Sequence, residues 1–263
     1  MNVMKFTMVA IVSLALSACQ TIGDNSHGYQ LRKSLPMGFK DYGMTVVSNK
    51  EGYPTRLGET SMRFEVRAGD CGSDSGWSDC ANDRERHEMT SKPNVNGTSW
   101  HSWSIFLPED YPIVYPTMVN LGQFHQHGGH VVWMFQNRRG GLMVDNQTIG
   151  STLHMKRILT DDEMRGKWCD ILVHARWTSD PDKGFFDVYV NGEPTPRYEW
   201  RGKTQTAGKQ VYHKFGIYRS WISRYKAMFD GDDVPTQVVY FDDVNQGRTC
   251  AATTTLFDCL SLE

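Results

Sequence analysis

The run Phe185-Phe186-Asp187-Val188-Tyr189-Val190-Asn191-Gly192 reads as a β-strand that ends in a tight turn. Aromatic and β-branched residues suit a pleated, half-buried surface, and Asn-Gly supplies the positive φ angles that a tight hairpin turn requires. The same signature recurs outward from it. Residues 62–68 alternate Met62, Phe64 and Val66 against Arg63, Glu65 and Arg67, which puts apolar side chains on one face and charged ones on the other. Residues 100–107, 118–126, 131–136, 171–177, 211–218 and 238–244 are further short strand candidates separated by turns. Only residues 160–165, where Thr160 precedes Asp161, Asp162 and Glu163, look like the start of a helix. Aromatic residues make up 12% of the chain, which also has 24 glycines, no long helical period and no internal repeat. That balance predicts one large all-β domain, a two-sheet antiparallel sandwich of the jelly-roll kind with a broad concave groove.

The beginning of the chain points to its compartment. Lys5 precedes an apolar run over residues 6–16, followed by Leu16-Ser17-Ala18-Cys19. A charged start, a short apolar stretch and small residues before a cut make a secretory signal that is too short to span a membrane. Cys19 at the cut resembles the lipidated first residue of a bacterial lipoprotein, and Gln20 after it favours the outer membrane; an ordinary signal peptide containing a cysteine is the plainer alternative. The expected organisation is a signal peptide over 1–18, a flexible tether over 19–35 and the domain over 36–263. This describes a bacterial outer-membrane or otherwise secreted protein, periplasmic or at the cell surface, that touches the membrane only through acyl chains. Of the remaining cysteines, Cys71 and Cys80 flank one loop and Cys250 and Cys259 another. Each pair is expected to close a local disulfide, as suits an oxidising compartment. Cys169 shares strand parity with Ile171 and Val173 and reads as a buried, inert thiol.

Three distant segments carry the chemistry: Arg86-His87-Glu88-Met89, Gln123-Phe124-His125-Gln126 and Tyr212-His213-Lys214-Phe215-Gly216-Ile217-Tyr218. If each is a strand, alternate side chains share a face, so Gln123 goes with His125, Arg86 with Glu88, and Tyr212 with Lys214 and Tyr218. One concave sheet bearing all three would offer an imidazole, two phenols, a carboxamide and two cations. Such a set can pull a proton from a carbon beside a carboxylate.

These segments resemble the RxEL, QxH and YxKxGxY elements of jelly-roll polysaccharide lyases. The likeness is to the heparin lyase I and glucuronan lyase group, with family 7 alginate lyases more distant. It extends over about residues 62–244 and includes Gly166-Lys167-Trp168 and Tyr240-Phe241-Asp242-Asp243-Val244. The resemblance implies β-elimination on a uronate-containing, anionic polysaccharide, a glucuronate-rich polymer such as glucuronan first, by a monomeric enzyme that requires no cofactor. His125 then suits the base and Tyr218 the acid, with Tyr218 able in some geometries to serve as both. Arg86, through its planar fork, and Gln123 would meet the substrate carboxylate, Lys214 would grip charge and Tyr212 would stack on sugar. Alginate lyases usually carry a second arginine where this chain has Thr90, and Asn-Gln where it has Arg219-Ser220. Those departures count against alginate.

Plainer readings stand beside these. His125 alone could be a surface histidine, Tyr218 a half-buried sheet residue and Arg86 the partner of Glu88. His127 and His130 flank Gly128-Gly129 and could hold zinc, but no HExxH pattern accompanies them. By parity His174 and Arg176 point either into the groove, to bind carboxylates, or into solvent. Trp77 can stack on sugar or pack its own turn, Arg138-Arg139 can steer a polyanion or cap a hairpin, and residues 230–233 offer oxygen ligands for a structural calcium or a solvated loop. With a net charge of −2, attraction to a polyanion must come from a local cluster. No recognition motif supports nucleic acid as a partner. A noncatalytic carbohydrate-binding protein on the same scaffold is the main alternative. Hydrolysis would need two carboxyl groups flanking the bond, and Glu65 and Glu88 each have arginines close in sequence.

Overall fold

The computed structural model describes residues 30–91, 97–138, 140–149 and 155–262. The expected signal peptide, Cys19, the start of the tether and Arg139 lie outside the described residues. Within them, two antiparallel seven-stranded sheets enclose one core. The first sheet runs β1 (Arg32–Lys33), β4 (Arg84–Thr90), β13 (Val211–Ser220), β6 (Met118–Gln126), β7 (Val131–Arg138), β8 (Gly141–Asn146) and β9 (Met155–Leu159). The second runs β12 (Tyr198–Arg201), β11 (Phe185–Val190), β10 (Trp168–Trp177), β5 (Gly97–Phe106), β14 (Gln237–Gly247), β3 (Thr60–Val66) and β2 (Met44–Ser48). This is the jelly-roll sandwich that the alternation predicts, and strands far apart in sequence lie side by side.

The alternation explains the packing. Met62, Phe64 and Val66 point inward at 1%, 0% and 0% exposure, and Phe64 meets Phe215 and Phe241 edge-on with ring centres 5.6 and 5.4 Å apart. Trp133 of the first sheet stacks on Phe186 of the second at 3.9 Å. Such cross-sheet aromatic pairs bury a large apolar area with defined geometry. Along β13, Val211, His213, Phe215 and Ile217 face this core, which sends Tyr212, Lys214 and Tyr218 to the opposite, outer face of the first sheet. The β13–β6 register slips between Phe215 and Tyr218. Gly216 sits within that bulge at φ 131°, where a Cβ would come within 2.5 Å of the His87 carbonyl oxygen. Only glycine fits there.

Several local expectations need adjustment. Asn191 and Gly192 do take positive φ (52° and 75°), but the chain continues through residues 193–197 before β12 pairs with β11. Strands β1, β2, β8, β9 and β12 are additional to those expected, as is helix α2 (Ile222–Met228), which is entered through Trp221 in the left-handed region. Helix α1 (Asp161–Met164) forms where expected, closed by a Thr160–Glu163 capping box. The tether expected over 19–35 is too long: Arg32 and Lys33 pair with Thr90 and Met89, and Leu35 is 6% exposed. Both disulfides, Cys71–Cys80 and Cys250–Cys259, are formed. Cys169 is free and buried, and burial pushes its thiol up to about 12. Among the described residues no helix is long and apolar enough to cross a membrane.

Candidate active site

The outer face of the first sheet carries a groove of about 870 Å³. Strand register assembles it. On β13, Tyr212 lies opposite His125 and Lys214 opposite Gln123 of β6, while Tyr218 lies opposite Arg86 and Gly216 opposite Glu88 of β4. The three distant segments are therefore adjacent strands, and directly opposed side chains on one face touch. His125, Gln123, Arg86, Tyr212, Lys214 and Tyr218 all line this groove.

Beneath it, Glu88 is 2% exposed and gathers the polar side chains around itself. Its carboxylate accepts a hydrogen bond from Gln123 Nε2 and lies 3.4 Å from Arg86 Nη1 and 3.5 Å from Lys214 Nζ. Burial pushes the Glu88 carboxyl upward, but Lys214 and Arg86, with the Gln123 hydrogen bond, more than offset this and hold it below the usual range. Burial pulls Lys214 downward and the Glu88 charge restrains the shift. Lys214 Nζ also donates to Ser34 Oγ at 2.9 Å, so the segment expected as tether completes the groove wall.

His125 is half-buried. Its Nδ1 lies 3.0 Å from the Gln126 carbonyl oxygen and 3.2 Å from Tyr212 Oη. A carbonyl oxygen only accepts, so Nδ1 carries the proton and Nε2 holds the lone pair. Burial and then the Lys214 charge pull this imidazole down to about 4, which keeps Nε2 unprotonated at neutral pH. Tyr212, pushed up to about 12 by burial and by Glu88, stays a neutral phenol.

Arg86 differs from the expectation that its fork meets substrate. Nε and Nη2 each donate to Asp79 at 2.6 Å, because Asp79 is fully buried and requires a paired cation. The guanidinium instead covers the Tyr218 ring, 3.9 Å from its centre. Asp79 also accepts from Trp77 Nε1 at 2.8 Å, and Trp77, 42% exposed, forms part of the groove wall. Sequence reasoning missed Asp79, Ser34 and Arg84, whose Nε donates to Tyr218 Oη at 3.0 Å. For Arg84 the signal was present, since it has the β4 parity of Arg86 and Glu88; for the other two only the fold supplies the proximity.

Most other candidates lie elsewhere. His174 and Arg176 are not in the groove: they sit on β10 in the second sheet, whose Val173, Ala175 and Trp177 fill the core, and His174 stacks on Trp100 at 3.8 Å. Odd positions of β10 face inward, so these two face away from the first sheet. Glu65 also belongs to the second sheet, paired with Arg63 and Arg67. His127 and His130 are exposed, His130 on the groove wall, and among the described residues no three His, Cys, Asp or Glu side chains cluster closely enough to hold a metal ion. Asp233 pairs with Lys226 at 2.8 Å. Arg219 points into the interior at 0% exposure and pairs with Glu85, whereas Ser220 lines the groove.

A protein-family model described as polysaccharide lyase matches residues 26–245. The fold is similar to that of an endo-β-1,4-glucuronan lyase from the fungus Trichoderma reesei, with a TM-score of 0.60, 16% identity and coverage of 87% of this chain and 95% of that one. It is also similar to AlgAT5, an alginate lyase of polysaccharide lyase family 7, with a TM-score of 0.52, 16% identity and coverage of 83% and 93%. No curated protein sequence matches the chain. Because the family match extends over the strands that build the groove, the chain belongs to the polysaccharide lyase family.

Proposed function

We propose that this lyase cleaves a glucuronate-rich polysaccharide by β-elimination, leaving an unsaturated uronate at the new end. The observation that carries this reading is the convergence of His125, Tyr218, Gln123 and Lys214 on one groove, with an imidazole kept neutral and a cationic rim. A uronate C5 proton becomes acidic when the neighbouring carboxylate is neutralised as charge builds. Gln123, Lys214 and Arg86 Nη1, which gather around Glu88, supply those donors. His125 Nε2 takes the C5 proton, and the C–H electrons form the C4–C5 double bond. The C4–O4 bond breaks with its pair on O4, and Tyr218 delivers a proton to that oxygen.

Glucuronate is favoured over alginate by what alginate lyases usually have and this chain lacks: Thr90 brings no charge to the groove, and Arg219 is turned inward to Glu85. The fold likeness to a glucuronan lyase is in keeping with this choice. The test is incubation of the soluble form, begun after Cys19, with glucuronan, alginate, heparin-type and mixed glucuronate polymers, following ultraviolet absorbance of unsaturated ends and chain length. His125→Ala and Tyr218→Phe are each expected to abolish nearly all product formation; undiminished turnover in both removes the site assignment. Retained binding without shorter chains would instead make this a noncatalytic binder.

The mature protein is further proposed to be held at the membrane by acyl chains on Cys19, a reading supported by the Leu16-Ser17-Ala18-Cys19 stretch. Mass spectrometry of the mature N-terminal peptide from a bacterial host is expected to find a diacylglyceryl cysteine. An unmodified cysteine, or a cut elsewhere, removes the anchor.

A further inference from the structure

Two guanidinium groups meet Tyr218, and they differ in what balances their charge. Arg86 lies over the ring and is neutralised by Asp79 and Glu88. Arg84 approaches the oxygen itself, with Nε donating to Tyr218 Oη at 3.0 Å. Its Nη1 donates to the carbonyl oxygens of Asn82 and Asp83 at 2.8 and 3.0 Å, and its guanidinium is stacked on the Trp221 ring at 4.2 Å. Every recorded acceptor of Arg84 is therefore a neutral oxygen, and among the described residues no carboxylate forms an ion pair with it. An immobilised cation without a counterion, aimed at one phenolic oxygen, is arranged to stabilise negative charge on that oxygen.

We infer that Arg84 is a positioning residue for the proton transfer from Tyr218, holding the phenol in place and stabilising the phenolate left behind. The inference rests on the elimination reading above. As the C4–O4 bond breaks, O4 takes the electron pair and the Tyr218 Oη–H proton. Oη keeps the pair of its O–H bond and becomes a phenolate, to which Arg84 Nε–H donates. The cycle closes when the C5 proton on His125 leaves and Tyr218 is reprotonated, with water as carrier. Arg84 touches neither sugar nor leaving group in this scheme.

The test compares leaving groups. A sugar alkoxide needs the proton from Tyr218, whereas a nitrophenolate leaves without one. Wild type, Arg84→Ala and Arg84→Lys are assayed on the uronate oligomer that wild type cuts and on the matching uronate carrying a 4-nitrophenyl ether at O4. On the oligomer, Arg84→Ala is expected to lose about 100-fold in kcat with KM little changed, and Arg84→Lys, which retains a cationic donor, to regain part of the loss. On the aryl ether, Arg84→Ala is expected to turn over nearly as fast as wild type. Equal losses on both substrates mean a collapsed groove and overturn the inference, as does undiminished kcat on the oligomer. A wild type that releases no unsaturated ends from any polyuronate overturns the elimination reading and this inference with it.

Discussion

His125 and Lys214 make the chemistry of the groove depend on pH in a definite direction. The imidazole must be neutral to accept a proton, and burial together with the Lys214 charge pulls its titration down to about 4. With His125 as the proposed base, the active form exists above about 4 and is lost as pH falls through that value. The acid limb of kcat/KM is expected near 4 rather than near the ordinary histidine value of about 6.5. Lys214→Met removes the cation and leaves Glu88 less compensated, both of which favour imidazolium, so the limb is expected to move upward. A pH–rate profile of both proteins checks this, and an unmoved limb would mean that another group carries it. Glu88 is the pivot of these charges, because one carboxylate is shared by Gln123, Arg86 and Lys214. From sequence it looked like the partner of Arg86 alone.

The elements that matter beyond the sheet are a loop and an edge strand. The Cys71–Cys80 loop carries Trp77 and Asp79, and Asp79 occupies the fork of Arg86. Cys250–Cys259 instead staples the C-terminal segment over Trp100, Leu172 and Tyr189, a small cluster separate from the main core. The two bridges should separate in their effects. The double variant Cys71→Ser/Cys80→Ser is expected to lower kcat by about tenfold or more, since a loosened Asp79 lets Arg86 leave the Tyr218 ring. The double variant Cys250→Ser/Cys259→Ser is expected to retain kcat and to lose about 2.5 kcal/mol of stability, the loop-closure value for a short loop. Steady-state kinetics and urea unfolding of the two variants decide it, and the pattern fails if both lose activity alike. Strand β1 adds Arg32 and Lys33 to the groove wall and Ser34 follows them there, so residues expected in the tether belong to the groove itself. Its composition resembles a linker because an edge strand of two residues has no periodicity to read.

At the scale of the whole molecule, buried histidines dominate the stability at acid pH. Burial pulls His101 down to about 3, and burial with the nearby His101 takes His213 well below its ordinary value. In the unfolded chain both bind protons near 6.5, so between that value and the folded one the unfolded state binds more protons and stability rises with pH. His101 contributes about 2 kcal/mol that is present at pH 8 and lost by pH 5, and His213 acts in the same direction. Asp243 acts oppositely: burial raises it to about 6, so the folded state holds its proton longer, which returns about 1 kcal/mol over the same interval. The balance predicts a lower urea midpoint at pH 5 than at pH 8, and a midpoint independent of pH would contradict the neutral burial of these rings. The sandwich that buries them was legible in the alternation of residues 62–68 and in the run ending at Asn191-Gly192, because strand period and turn chemistry are local properties. The groove side of β13 and β6 was legible for the same reason, since parity fixes which side chains share a face. Parity could not say which sheet a strand joins, so His174 and Arg176 were equally eligible until β10 fell in the second sheet. It could not reveal that Asp79 claims Arg86, that Ser34 reaches Lys214 or that Arg84 meets Tyr218. The sequence by itself determined most of the strands, their faces and the residue types able to remove and deliver a proton. Tertiary structure alone decided which of them meet, because hydrogen bonds and ion pairs act over a few ångströms between positions as far apart as Ser34 and Lys214, 180 residues along the chain.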